Sequence, residues 1–340
     1  MNRSRLFTLP LPLLLAMLIG ACSHAPRPDA KPTWITGPAA SYPASQYLTG
    51  RGEADTLATA RDRARADLAK IFSVKVSEHS EDTSTYSQGG DAPATNTLDV
   101  NRRITTKTDA LLRGVRIVDT WQDPATRVYY ALAALPRSQA AAALRARIVE
   151  LDAATHAWVA QARGSDDLIA KIAAADRAVN AQAKRAVLQN ELRVVDITGR
   201  GVKSPWNLGQ LKADRAELLA RLTIAPASEG KNAAALQKLV AGALADAGFT
   251  VKPAAPYTMT ATLDYNELPP RNGWYWITGT LSVALDGIPE AHGIQRWPLK
   301  VSASDPALAR QRLLDQVAQK LHNDIQATVL RFADAGDRTD

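Results

Sequence analysis

Cysteine occurs once in 340 residues. A lone thiol closes no intramolecular disulfide, so the cores of this chain must hold without covalent help. Long apolar runs are missing as well. The one that exists, Leu6 to Ile19, is too short and too interrupted by Pro10 and Pro12 for a membrane-spanning helix. The histidines His24, His79, His156, His292 and His322 are scattered, with no i, i+4 pair and no HExxH arrangement, which argues against a zinc site. A GxSxG elbow, a P-loop and a second cysteine are absent too, and with them the commonest nucleophilic and phosphate-cradling chemistries. Gly50-Arg51-Gly52 stands before a helix, but Asp55 occupies the place of the third glycine of a dinucleotide fingerprint. The acid pairs Asp166-Asp167 and Glu81-Asp82 fall where loops or helix starts are expected, and capping or solvation accounts for them. The expectation is a protein that is not an enzyme, with no catalytic residue, metal or cofactor.

What is present begins at the amino terminus. Arg3 and Arg5 supply a positive n-region, Leu6 to Ile19 an apolar h-region, and Gly20 and Ala21 the small residues before a cut. Ile19-Gly20-Ala21-Cys22 resembles the lipobox of bacterial lipoproteins, which implies a leader over residues 1–21 and acylation, palmitate included, at Cys22. Two or more acyl chains on one residue are enough for stable anchoring. Ser23 stands where inner-membrane lipoproteins usually carry Asp, so the resemblance implies the outer membrane, with the chain facing the periplasm. That compartment removes nucleic acid from the partners. Loss of Arg3 and Arg5 with the leader lowers the net charge from +7 to about +5, too weak a balance to identify a partner.

With 46% hydrophobic residues, the remainder suffices for two modest domains. Residues 22–33 carry the lipidated cysteine and a Pro-rich flexible tether. A strand at Tyr47–Gly50 precedes a helix capped by Asp55 or Thr56, with Ala60, Ala64, Leu68 and Ile71 on one face. The chain is then expected to turn to β character at Val74-Lys75-Val76 and to make a flexible excursion around Gly89–Pro93. Runs at Val115–Trp121 and Val128–Leu135 flank a Pro-containing turn and predict a hairpin. Over residues 137–193 two helical stripes, Leu144 to Trp158 and Leu168 to Ala183, predict an antiparallel helical pair, with Gly164 as stop and Ser165 as N-cap. From 194 to 335 a βα pattern follows: a strand at Leu222–Ile224, a helix at Asn232–Ala247, alternating strands at Tyr257–Tyr265, Tyr275–Leu285 and Trp297–Val301, and a final helix at Pro306–Phe332. The fold class is α+β: two small domains, each with helices on one face of a mostly antiparallel sheet, joined by an antiparallel helical hairpin.

Within residues 34–136, Trp34, Tyr42-Pro43, the run Tyr47-Leu48-Thr49-Gly50-Arg51-Gly52-Glu53-Ala54 and the alanine-rich helix that follows resemble the LPP-20 lipoprotein family. The resemblance covers about residues 32–136. It implies an outer-membrane location and a βα-type domain, and no catalytic residue can be carried over. A similar domain in an assembly protein of the flagellar outer ring makes that structure one implied candidate. From the residues alone, Gly50 and Gly52 let a strand end and swing into the helix. Trp34 and Tyr42-Pro43 suit pinning the tether to the domain.

The remaining constellation is aromatic. Trp274 and Trp276 alternate out of phase with the apolar Tyr275/Ile277 face, and Arg271 stands beside them in the turn. These three residues are the candidate partner- or ligand-binding site, since Trp and Arg dominate such surfaces. The competing structural reading is that the helical pair or the first domain covers that face. The expected function is a non-catalytic interaction or assembly factor for an envelope structure, with an envelope protein as partner. The alternative is a binding module for cell-wall glycan or lipid.

Overall fold

The computed structural model describes residues 30–87, 114–287 and 293–336. The expected leader, Cys22, the expected tether up to residue 29 and the excursion expected at Gly89–Pro93 lie outside the described residues.

A single 3-10 turn, Thr33–Ile35, leads to β1 (Tyr47–Ala54), α1 (Leu57–Ser87), β2 (Arg116–Gln122) and β3 (Tyr129–Pro136). Strand β3 lies between β1 and β2 and is antiparallel to both. On one face Gly50 and Gly52 stand opposite Ala133 and Ala131, which leaves a shallow track of small residues. Helix α1 lies in that track through Ala60 and Ala64, and continues the contact at four-residue steps through Leu68, Phe72 and Val76, all buried. The β turn-over expected at Val74–Val76 does not occur. Val76 extends the buried stripe, and its burial outweighs the weak strand preference of a short β-branched run. Glu81-Asp82 therefore fall inside α1, not at a loop or a helix start. The two glycines also act differently from expectation. They lie within β1, neither has a positive φ, and a Cβ on Gly52 would stand 2.2 Å from the Ala60 carbonyl oxygen. They permit contact between strand and helix, not a turn. Of the two expected caps it is Thr56 that serves, accepting from the Thr59 N–H at 3.3 Å.

The other face of this sheet holds Trp34, buried with Ala39 and Leu132 among Tyr42, Trp121 and Tyr130. Its indole N–H donates to Asp119 Oδ2 at 2.6 Å, and the Arg51 guanidinium donates to the Trp34 and Gly37 carbonyls, each at 2.6 Å. The segment that enters the domain is pinned there by one aromatic ring and three directed bonds.

Helices α2 (Arg137–Gly164) and α3 (Leu168–Val195) pack as the expected antiparallel pair. The N-cap of α3 is Asp167, which accepts from the Ile169 N–H at 3.0 Å, while Ser165 Oγ accepts from Asp167 N–H at 3.2 Å. A carboxylate at that point also meets the positive end of the helix dipole, which a hydroxyl does less well. The pair does more than space two units. Leu144, Ile148, Leu188 and Leu192 complete the core of the first sheet, and Ile169 and Ile172 enter the second core. Between α2 and α3 the buried Arg185 donates to Asp152 at 3.0 Å and to the Val202 carbonyl at 3.0 Å, and Gln182 donates to Asp152 and Thr155, each at 2.9 Å.

Asp196 caps the end of α3, accepting the Thr198 N–H and hydroxyl, each at 3.0 Å, and the Arg145 guanidinium at 2.9 Å. The Thr198 amide first, with its hydroxyl and Arg145, holds this carboxyl below the usual carboxylate range. A depressed folded-state pKa stabilises the protein above the unfolded value, and that stability is lost as pH falls through the folded value. Urea unfolding is expected to need less denaturant on acidification below about pH 4. Asp196→Asn should flatten that part of the profile.

The second unit opens with a helix the sequence reading did not resolve, α4 (Leu208–Arg221), capped by Asn207 Oδ1 on the Gln210 N–H at 3.1 Å. Then follow β4 (Thr223–Glu229), α5 (Ala233–Asp246), β5 (Thr250–Val251), β6 (Tyr257–Arg271), β7 (Trp274–Asp286), β8 (Ile294–Ala303) and α6 (Pro306–Gly336). The sheet order is β5-β4-β6-β7-β8, with β4 parallel to both neighbours and β6–β8 antiparallel. Both α5 and α6 cover one face. Leu236, Val240 and Leu244 from α5, and Leu313, Val317, Leu321 and Ile325 from α6, pack on Met259, Ala261, Leu281, Val283 and Leu299.

Candidate functional site

Period-two alternation that buries one face of β6–β8 necessarily turns the intervening residues outward. The pairing register collects them into rows: Thr260 beside Ala284 and Ile294, Thr262 beside Ser282 and Arg296, Asp264 beside Thr280 and Pro298, Asn266 beside Thr278 and Lys300, Leu268 beside Trp276 and Ser302. Among the described residues no element covers this face. Its threonines and serines are half-exposed, and Asp264, Asn266, Arg296 and Lys300 are exposed. The helical pair and the described part of the first domain therefore do not bury the two tryptophans, in contrast to the structural reading. The pair meets the second unit on the helix side, through Ile169 and Ile172.

At one end of the open face the β6–β7 hairpin turns at Asn272 (φ 53°) and Gly273 (φ 76°). Left-handed values at both positions fit the Asn-Gly turn that matches strand twist. Arg271 pairs in register with Trp274, and Leu268 with Trp276. The structure thus brings together all three predicted site residues, and adds Leu268 and Lys300. Trp274 is 45% and Leu268 43% exposed, and the Lys300 ammonium lies 5.3 Å from the centre of the Trp276 ring. A cation held over one face of that indole orients the ring while leaving it half-exposed. The sequence signal for Lys300 was present, since it lies on the outward phase of β8, but its pairing with Trp276 needs the register.

Pairing of β4 with β6 ends at Thr262, so the edge of β6 beyond it is free of β4. A depression of about 620 Å³ lies there, lined by Lys231, Asp264, Asn266, Thr278 and Thr280 among others. The opposite edge is closed to strand addition. Pro298 lacks an N–H, the Lys300 N–H donates to Gln316 Oε1 at 3.2 Å, and Arg312 donates to the Ser302 carbonyl.

The described residues hold no group of three His, Cys, Asp or Glu able to share a metal ion. His156 stands 6.2 Å from the Trp206 ring, and His322 is exposed 3.5 Å from Asp246. No described helix is long and apolar enough to cross a membrane.

Residues 32–135 match the model of the LPP20 lipoprotein family. No curated protein matches the chain. Among solved structures, a secreted protein of Helicobacter pylori is 17% identical, covering 84% of this chain and 97% of its own, with a TM-score of 0.39. A minor lipoprotein of Acinetobacter baumannii is 11% identical over 32% of this chain and 94% of its own, with a TM-score of 0.28. A candidate lipoprotein of Caulobacter crescentus is 18% identical over 35% and 96%, with a TM-score of 0.25. The family match supports a lipoprotein, and with it a membrane-anchored place in the cell envelope.

Proposed function

We propose, from the premise that residues 32–135 are an LPP20 lipoprotein domain, that this chain is a non-catalytic interaction factor of the outer membrane. It is anchored by acylated Cys22 on the periplasmic face, and it docks the glycan of the cell wall on the open face of its second sheet. One observation carries the reading: that face is uncovered, rich in hydroxyls and ends in Trp274 and Trp276. A sugar ring offers C–H groups to an indole face and hydroxyls at its rim. The Trp276 ring supplies the first contact, and Thr278, Thr280, Asp264 and Asn266 supply acceptors and donors beside it. Arg271 and Lys300 add positive charge for the carboxylates of an acidic glycan.

The test is co-sedimentation of the Cys22→Ser chain with purified, protein-free sacculi. Binding is expected, and Trp276→Ala is expected to weaken it by about tenfold or more, the scale of losing one aromatic anchor. A chain that stays in the supernatant sinks the glycan reading. Capture of one stoichiometric envelope complex by in-cell crosslinking, lost in Trp274→Ala, would instead make a protein the occupant. The family-implied flagellar ring would then be tested by motility of a deletion strain.

A further inference from the structure

A second site lies far from that face in sequence, where α4 crosses the helical pair. Alanines at 162, 175 and 178 face this crossing and are too short to fill it, while Leu218 and Leu211 line its far wall. The helices are held at a set spacing by the Arg215–Asp176 ion pair at 2.6 Å and by Ile172 packed in one core with Leu219 and Leu222. What remains is a cavity of about 430 Å³. That volume falls in the range of small-molecule sites, roughly 300–1,000 Å³.

The cavity has two unlike ends. The Arg215–Asp176 pair, with Ile172 beside Leu219, sets α3 and α4 antiparallel, so Lys171 near the start of α3 and Arg221 at the end of α4 lie toward one end. Arg163 at the end of α2 lines the same cavity and adjoins the turn into α3. None of these three cations forms an ion pair among the described residues. Of the acids around them, Glu217 lines the cavity, Asp214 lies further back along α4 and accepts from Gln210 at 2.7 Å, and Asp166 and Asp167 stand in the turn, with Asp167 accepting from the Ile169 N–H. Toward the other end stands Trp206, whose N–H and carbonyl are bracketed by Ser204 Oγ at 3.1 and 2.8 Å. Ser204 Oγ also lies 3.2 Å from the buried Gln182 Oε1, the longer of the two acceptors its one hydroxyl proton can reach, so the segment carrying the indole adjoins the network between α2 and α3. From Leu211 to Arg221 the wall runs about 15 Å at the helical rise.

We infer that this cavity binds a single-chain anionic amphiphile. Its carboxylate or phosphate head is met by Arg163, Lys171 and Arg221, and its chain runs along Ala175, Ala178 and Leu211 toward Trp206. A fatty acid and a lysophospholipid share this chemistry. The inference stands apart from the sheet face and does not depend on it.

The test uses the Cys22→Ser chain and a dansyl-labelled fatty acid, whose emission rises on entering an apolar site. Saturable enhancement is expected, with displacement by dodecanoate or by lysophosphatidylglycerol, and the better competitor distinguishes a free acid from a lipid headgroup. Dodecyltrimethylammonium, equal in chain and opposite in charge, should compete about tenfold more weakly or worse. Charge reversal at the rim, Arg163→Glu with Lys171→Glu, should weaken the probe by about tenfold with the circular dichroism spectrum unchanged. Leu218→Trp, which projects an indole into the cavity and narrows it, should weaken binding about tenfold or more. No enhancement, equal competition by the cationic surfactant, or unchanged affinity in the rim variant overturns the inference.

Discussion

Gly52→Val is expected to cost about 4 kcal/mol or more of stability, a large share of the 5–15 kcal/mol typical of a folded domain. The added Cβ would lie 2.2 Å from the Ala60 carbonyl oxygen and 2.3 Å from the Ala64 nitrogen. Both are backbone atoms of a helix locked by its own hydrogen bonds, so neither side can yield as a flexible side chain would. Relief requires lifting α1 from β1, which uncovers Ala60, Ala64, Leu68 and Phe72 together. Gly164→Ala is the control, because nothing lies within 4 Å of a Cβ there and the residue ends α2. It should be neutral or gain up to about 1 kcal/mol from reduced backbone freedom. Urea unfolding followed by circular dichroism separates the two. A Gly52→Val midpoint equal to wild type would refute the close-contact account.

Asp152→Ala is expected to destabilise the chain by about 3 kcal/mol, because it leaves the Arg185 guanidinium buried with only the Val202 carbonyl as partner. The Arg185 side chain is 5% exposed and that of Asp152 17%, so water replaces little of what is lost. Gln182 would also lose one of its two acceptors. The pair as a whole contributes much less than its breakage costs, since desolvation offsets attraction. Asp152→Leu with Arg185→Met should therefore recover most of the loss. If the double variant is as unstable as the single one, the carboxylate acts through something other than the ion pair.

Local order decided much of what is legible here in one dimension. The spacing of Ala60, Ala64 and Leu68 marked the buried face of α1, the alternation from Tyr257 to Leu285 marked two strands and their inner face, and Asn272-Gly273 marked the hairpin between them. The outward phase of Trp274 and Trp276 follows from the same period, as did their neighbour Arg271. Three features escaped that reading because they depend on what lies opposite. Val76 is helical since it meets a core, although its neighbours favour strands. Gly50 and Gly52 are small because a helix backbone touches them, which no residue near them in sequence reveals. Thr155, placed in an apolar stripe by its spacing, is a polar member of the network around Arg185.

The sequence by itself determined the α+β class, the helical pair and the phase that puts two tryptophans outward. Periodicity records which side of an element is apolar, and that is a local property. Only the tertiary structure decided that the outward face stays open, that Lys300 sits over Trp276, and that three helices enclose a cavity with cations at one end. Those depend on register and on the crossing of elements distant in the chain, where packing between surfaces, and not the pattern along one of them, sets the outcome.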